Sequence, residues 1–556
     1  MKFQFKRKTG IIVAGIALVF VTLVGFNRDE KNFEIAKNLD IYYTLFRELN
    51  LFYVDEVKPA DLVKESIDEM LKSLDPYTTY IPESDVEDFN FMTTGEYAGI
   101  GALISQRNGK VIVAQPYEGF PAQKAGLRAG DIFLEVAGKD TKGMKTADVS
   151  NLLKGPASQT LKLKMQRPGQ KKPFDVMLVR EKIHIPAVPY SGMIDDQTGY
   201  IRFTNFTHNC SQEVKKALLD LKEVHHAKSI VLDLRGNPGG LLNEAVKVTN
   251  LFVPQGVEVV STKGKVKQWD KVYKATAHPV DTVIPLVVLV NSGSASASEI
   301  VSGAIQDLDR GVVIGKRTFG KGLVQTTREL SYNSKLKVTT AKYYIPSGRC
   351  IQALDYSHRN EDGSVGKVPD SLITEFSTRH GRKVFDGGGI QPDVKVDAER
   401  LSNLAMHLIA KYKLFDFATD FQNKHKSIPP VNEFTISDEL YGEFKAFMQK
   451  EEFKYESRSS EMLKELIETT KEEKYFDLSK EDIKALEQKL TTNLEKDLVR
   501  FEDEIKELLK DEIITRYYYQ KGAIISAIHD DKAIKKAQEV LKSTEEYKAL
   551  LAPAKQ

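Results

Sequence analysis

The sequence predicts a multidomain α/β protein, with an α/β core, a small β-rich domain inserted ahead of it, and helical regions at both ends. Three observations predict it. At 556 residues the chain is too long for a single hydrophobic core. From about residue 187 to 397, uninterrupted apolar strands alternate with helical stretches, the pattern of a sheet covered on both faces. Short strands punctuated by glycine precede that region, and a Lys/Glu-rich segment with helical spacing follows it. With 41% hydrophobic and 28% charged residues, wholesale disorder is excluded. A net charge of +2 gives no reason to expect nucleic acid, so binding must come from local sites.

The elements follow in order. Lys2, Lys6, Arg7 and Lys8 precede an uncharged apolar run from Gly10 to Phe26, which Asn27-Arg-Asp-Glu30 follows. A basic flank before an apolar segment predicts export, with residues 1–31 as a signal-anchor segment. Residues 10–26 would then hold the protein on the periplasmic side of the inner membrane, in the cell envelope. No Ala-x-Ala site follows the run, which favours an uncleaved anchor. Cys210 and Cys350 are far apart in sequence and read as two free thiols.

Residues 32–90 read as helical, with apolar periodicity in Ile41–Leu49 and Leu62–Leu71, and Leu74-Asp-Pro-Tyr77 ends the second helix. Two such helices cannot bury a core alone, so packing on another domain or a second copy (a homo-oligomer) is expected. Residues 91–185 carry strands at Val111–Ala114, Ile132–Val136 and Leu161–Met165, and a helix near Thr146–Leu153. With Tyr97-Ala-Gly-Ile-Gly-Ala-Leu-Ile104 in front and Ala125-Gly-Leu-Arg-Ala-Gly-Asp131 between, this order resembles a PDZ domain. The resemblance implies capture of a peptide C-terminus by Gly99, Ile100, Gly101 and Ala102, whose backbone N–H groups would hold the carboxylate. A small β-domain without a ligand is the plainer alternative.

Residues 186–400 form the predicted core, with strands at Gly199–Phe203, Ser229–Leu234, Pro285–Val290 and Gly311–Gly315 and intervening helices near 211–221, 241–251 and 297–308. Residues 401–556 read as a solvated helical extension, to which sequence assigns no chemistry.

The chemistry lies in Asn291-Ser-Gly-Ser-Ala-Ser-Ala-Ser-Glu299 and Thr318-Phe-Gly-Lys-Gly-Leu-Val-Gln325. Small residues opening a helix can expose a hydroxyl beside unpaired N–H groups, and a desolvated lysine between glycines can serve as its base. The pairing predicts a Ser–Lys hydrolase. Within Gly293-Ser-Ala-Ser-Ala-Ser-Glu299 three serines compete for the nucleophile's place, and Ser296-Ala-Ser-Glu299 also fits a plain capping box. Asp233-Leu-Arg-Gly-Asn-Pro-Gly-Gly240 follows a buried strand, and its glycine pair can offer N–H groups to an oxyanion. In a regular strand, Lys321 and Gln325 would lie roughly 13 Å apart. A helical turn or bulge around Gly322 is therefore expected to bring them together. None of the ten histidines sits in a comparable constellation, so no metal and no cofactor is implied.

Those motifs, with Pro346-Ser-Gly-Arg349 and Gly389-Ile-Gln-Pro-Asp393, closely resemble the C-terminal processing (tail-specific) serine peptidases over roughly residues 40–397. The resemblance implies a crotonase-like peptidase core, with Ser296 as nucleophile, Lys321 as general base and Gln325 as third member. It implies oxyanion donors at Ala297 and at Gly239 or Gly240. The expected function is a serine endopeptidase cutting exported polypeptides near their C-termini, with the need for an activator protein left open. Cys350 stands where the family's pattern suggests a serine. The competing class is a non-catalytic PDZ adaptor of the cell envelope in which Ser296 only caps a helix.

Overall fold

A computed structural model describes residues 31–553, except 361, 398, 399, 451 and 452. The expected membrane anchor lies outside the described residues, and among those described no helix is long and apolar enough to cross a membrane. The chain divides into two units, residues 1–80 and 81–556. In the first, helical backbone covers residues 31–52 and a second helix spans Pro59–Lys72. The second helix stops where Asp75 accepts from the backbone N–H groups of Tyr77 and Thr78 at 2.8 and 2.7 Å, an Asx turn that competes with helix. Phe33, Leu39, Tyr43 and Leu45 on the first helix are all exposed.

In the second unit, the helix Val86–Thr94 ends on Gly95 in the left-handed conformation. The next strand, Glu96–Gly99, pairs antiparallel with Glu181–His184. That two-stranded neck frames the β-rich domain, whose five longer strands run from Ala102–Arg107 to Phe174–Val179 around a core that includes Val113, Phe133, Leu163 and Met165. The helix Thr146–Leu153 lies on this core through Val149 and Leu153.

The α/β core is one sheet in the order β1 (Tyr190–Met193), β2 (Thr198–Arg202), β3 (Ser229–Asp233), β4 (Leu286–Val290), β5 (Val312–Gly315) and β6 (Val394–Lys395). Only the β1–β2 pair is antiparallel. Every residue of β3, β4 and β5 is buried, as strands covered on both faces require. One face (Ile230, Leu232, Leu286, Val288, Val313) packs on α1 (Cys210–Leu219), α2 (Leu242–Asn250) and α3 (Ala297–Asp307).

The opposite face corrects the sequence reading. Val231, Val287, Leu289, Val312 and Ile314 are covered by Ile528, Ala533, Ile534, Ala537 and Val540, so the last helices are not a solvated arm but one layer of the core. Their Lys/Glu-rich composition hid this, because the apolar stripe by which Lys532–Lys542 meets the sheet is narrow. Residues before them form a separate helical core around Phe417, Phe444 and Ile513. It touches the β-rich domain where the Asn423 amide donates to the Pro168 carbonyl at 3.0 Å and Arg107 pairs with Asp416.

A second sheet stands beside the first, with Glu258–Gly264, Lys271–Lys274 and the hairpin Leu323–Glu329/Lys335–Tyr344 as strands. Cys210 and Cys350 are both free thiols.

Candidate active site

Ser296 is the residue just before α3, at φ 55° and ψ −113°, a conformation that side chains rarely adopt. The turn that imposes it is tied on both sides. Asn291 accepts from the N–H groups of Gly236 and Gly293 at 2.8 and 3.0 Å, and the Ser294 hydroxyl donates to the Leu234 carbonyl at 2.8 Å. Of the three competing serines, Ser294 and Ser298 are fully buried and spend their hydroxyls on backbone carbonyls. Ser296 is half-buried and lines a cavity of about 630 Å³. The capping box that the sequence offered is present around Ser296 and Glu299, and the Glu299 N–H also reaches the Ser296 carbonyl at 2.8 Å. Capping does not bury the hydroxyl, because Ser296 lines the cavity at the same time.

Lys321 and Gln325 line the same cavity, as do Ala297, Gly239 and Gly240. Two clamps fix Ser296 and Lys321 to one another through main-chain atoms. The Glu299 carboxylate accepts from the Ser296 N–H at 2.8 Å, the Lys321 N–H at 2.9 Å, the Gly320 N–H at 2.7 Å and the Thr318 hydroxyl at 2.5 Å. On the other side the Tyr343 hydroxyl lies 3.1 Å from the Ser296 carbonyl and 2.7 Å from that of Lys321, and the two carbonyls share its one proton. Burial pushes the Glu299 carboxyl up to about 7, against the four donors that favour its charged form.

Sequence reasoning missed both clamps. Glu299 was visible as the last residue of Ser-x-x-Glu, but its partners 19–22 residues downstream were not.

Of the turn or bulge expected around Gly322, the structure has the bulge, at a different place. No helical turn forms. Leu323–Glu329 is a strand from its first residue, and the bulge lies in its partner, where Thr340 is passed over between Val324↔Ala341 and Gln325↔Thr339. The Gln325 amide donates to the Thr339 hydroxyl at 3.1 Å.

The glycine pair has divided duties. Gly239 is buried at φ 98°, and a side chain there would meet the Ala295 carbonyl oxygen at 2.6 Å and the Ala297 nitrogen at 2.9 Å. Its N–H is spent on the Asn237 side chain at 2.9 Å. Gly240 is exposed to the cavity, and among the described residues its N–H and that of Ala297 donate to no protein group. Buried Asn237 holds this loop against the serine turn: its carbonyl accepts from the Ala295 N–H at 3.0 Å and the Ser298 hydroxyl at 2.9 Å. Upstream, Asp233 is fully buried. Burial alone would raise its carboxyl, but Arg235 and Arg202, with the Tyr200 hydroxyl at 2.7 Å, hold it below the ordinary carboxylate range. Arg235 also reaches Asp531 at 2.6 Å, tying the loop to the last helices.

A second cavity, of about 340 Å³, lies in the β-rich domain. Gly99, Ile100 and Ala102 line it with Tyr97, Ile104 and Leu153. Gly101 sits behind, at φ 71°, where a side chain would meet Phe120 Cβ at 2.4 Å. Burial pushes the Tyr97 phenol at this cavity up to about 12.

Glu299→Gln is expected to lower kcat about 100-fold or more, since an amide NH₂ would face donors where the carboxylate accepts. The same group gives a pH dependence. Its raised folded pKa makes its contribution to stability complete below the unfolded value and lost as pH rises through about 7. Activity should run the other way, falling as the carboxyl is protonated below about 7 and a donor loses its acceptor. A pH–rate profile of wild type against Glu299→Gln, paired with thermal unfolding, tests both directions; an unaltered acid limb in the variant would remove Glu299 from the account.

Residues 197–357 match peptidase family S41, residues 112–167 match a PDZ domain, and residues 404–541 match the C-terminal helical domain of probable PDZ-proteases. A carboxy-terminal-processing protease of Bartonella bacilliformis is 35% identical over 378 residues, covering 66% of this chain and 83% of that protein. A probable CtpA-like serine protease of Staphylococcus aureus is 33% identical over 416 residues, 74% of each chain. Among solved structures, a photosystem II D1 C-terminal processing protease aligns at 32% identity with a TM-score of 0.35, over 65% of this chain and 88% of its own. The chain belongs to peptidase family S41, among the PDZ-bearing C-terminal processing serine peptidases.

Proposed function

We propose that this serine peptidase cuts exported polypeptides near their C-termini by Ser–Lys catalysis. The carrying observation is the pair of clamps, Glu299 and Tyr343, that hold the backbones of Ser296 and Lys321 together at one cavity. Lys321 Nζ, neutral at the outset, takes the proton of Ser296 Oγ as that oxygen attacks the scissile carbonyl. The tetrahedral oxyanion accepts from the N–H groups of Ala297 and Gly240. The protonated lysine then gives its proton to the departing amine, which frees the C-terminal fragment and leaves an ester on Ser296. Water, deprotonated by Lys321, hydrolyses that ester. Gln325 orients the lysine without adding a negative charge that would hold the ammonium protonated.

The PDZ groove captures the substrate's free C-terminus at the cavity lined by Gly99, Ile100 and Ala102, with backbone N–H groups of that loop holding the carboxylate. Residues 10–26 anchor the protein to the inner membrane, facing the periplasm. The exposed apolar side chains of the helix over residues 31–52 fit contact with a second copy. One reagent and one substrate pair test the reading. A fluorophosphonate should modify Ser296, located by peptide mass mapping, and modification elsewhere or nowhere would end the nucleophile assignment. Amidating the C-terminus of a peptide substrate should raise its KM; equal KM values for acid and amide would end the capture assignment.

A further inference from the structure

We infer that the free edge of the strand Leu323–Glu329 binds the main chain of the substrate as an added β-strand, through the backbone groups of Gln325 and Thr327. The inference rests on the Ser296–Lys321 reading and names how the polypeptide is held there.

The strand pairs along one side only, with Lys335–Tyr344; among the described residues no other strand joins its opposite edge. Which residues face that edge follows from the hairpin's own register. The Leu330 N–H donates to the Ser334 carbonyl at 2.9 Å, so 330 and 334 are a hydrogen-bonded pair. Antiparallel ladders alternate bonded and non-bonded pairs. With Arg328↔Leu336 and Thr326↔Val338 bonded, Thr327↔Lys337 and Gln325↔Thr339 are the non-bonded pairs, and their N–H and C=O groups point away from the partner strand. The passed-over residue at Thr340 lies beyond this stretch and leaves the alternation from 325 to 329 intact.

Those outward groups meet no protein partner among the described residues. They also sit where a substrate must lie. Gln325 and Thr327 line the cavity that holds Ser296, and the strand begins two residues after Lys321. Protein edges are ordinarily blunted by proline, a bulge or a covering element, because unpaired N–H and C=O rows recruit other chains. Leu-Val-Gln-Thr-Thr-Arg-Glu carries no proline, and its bulge is in the partner strand. An extended polypeptide is the occupant whose chemistry matches: two residues, i and i+2, each exchange an N–H and a C=O with the edge. Recognition of this kind reads backbone and tolerates varied side chains.

Wild-type enzyme and a series of peptide substrates carrying a single ester in place of one amide, never at the cleaved bond, test this. Each ester removes one N–H. KM should rise about 3- to 10-fold at alternate positions and stay level between them, with kcat unchanged. A flat series, or a rise without alternation, overturns the inference. Thr327→Pro supplies a second reading, since proline is tolerated in an edge strand where its missing N–H pointed outward. KM for the all-amide peptide should rise by a similar factor with the thermal midpoint nearly retained. An unchanged KM overturns the inference, and so does a protein that fails to fold, because the N–H would then be spent inside the sheet. Failure here leaves Ser296 labelling by fluorophosphonate intact, whereas loss of that labelling in wild type strikes the catalytic reading itself.

Discussion

Ser296→Ala and Lys321→Ala are each expected to lower peptide cleavage by ~10³-fold or more while the protein stays folded. The size follows from roles that act as a unit, so the double variant should lose no more than either single one. The retained fold follows from the clamps. Glu299 and Tyr343 hold residues 296 and 321 by main-chain N–H and C=O groups, which truncating either side chain leaves in place. Removing the half-buried Ser296 hydroxyl leaves the Glu299 N–H its contact with the Ser296 carbonyl at 2.8 Å, so no buried donor is stranded. Lys321→Arg should be as inactive as Lys321→Ala, because a guanidinium does not give up its proton and cannot accept one from serine. Initial rates on a quenched fluorescent peptide, beside far-UV circular dichroism, decide the matter. A Lys321→Arg enzyme retaining even a tenth of wild-type rate would remove the lysine from the base's role.

Truncation after residue 528 is expected to unfold the core rather than trim an appendage. Val231, Val287, Leu289, Val312 and Ile314 are wholly buried, and what covers their face includes Ala533, Ile534, Ala537 and Val540. Losing several such aliphatic contacts costs about 5–10 kcal/mol, comparable to the whole stability of a typical domain. Arg235 would at the same time lose Asp531 and keep only Asp233, in the loop that carries Gly239 and Gly240. Ile534→Asp is the milder variant and should give a lowered, broadened melt, because it drives a charge against the sheet. Soluble, cooperatively melting and active protein ending at residue 528 would refute this layer's importance.

Ser296 and Lys321 were legible as candidates for a local reason. Small residues before α3 and glycines around Lys321 mark backbone that must turn tightly, and turn chemistry is written in adjacent residues. The PDZ strands were legible in the same way, by alternation and glycine punctuation. Glu299 was half-legible: its spacing from Ser296 spelled a capping box, and only folding brought Thr318, Gly320 and Lys321 onto the same carboxylate. The bulge near Gln325 was expected in the wrong strand, because the residue that relieves the register, Thr340, belongs to a segment whose pairing the sequence does not state.

The amino-acid order alone thus foretold a glycine-punctuated β-rich domain ahead of an α/β core, and picked out a serine and a lysine that line one cavity, because these depend on periodicity and on neighbouring residue types. Tertiary structure alone decided what seals the far face of the sheet, which glycine N–H remains available beside Ala297, and which strand edge lies open at the cavity. Each of those is a choice among partners distant along the chain. Burial and hydrogen-bond saturation make that choice collectively, and a single stretch of sequence carries no record of it.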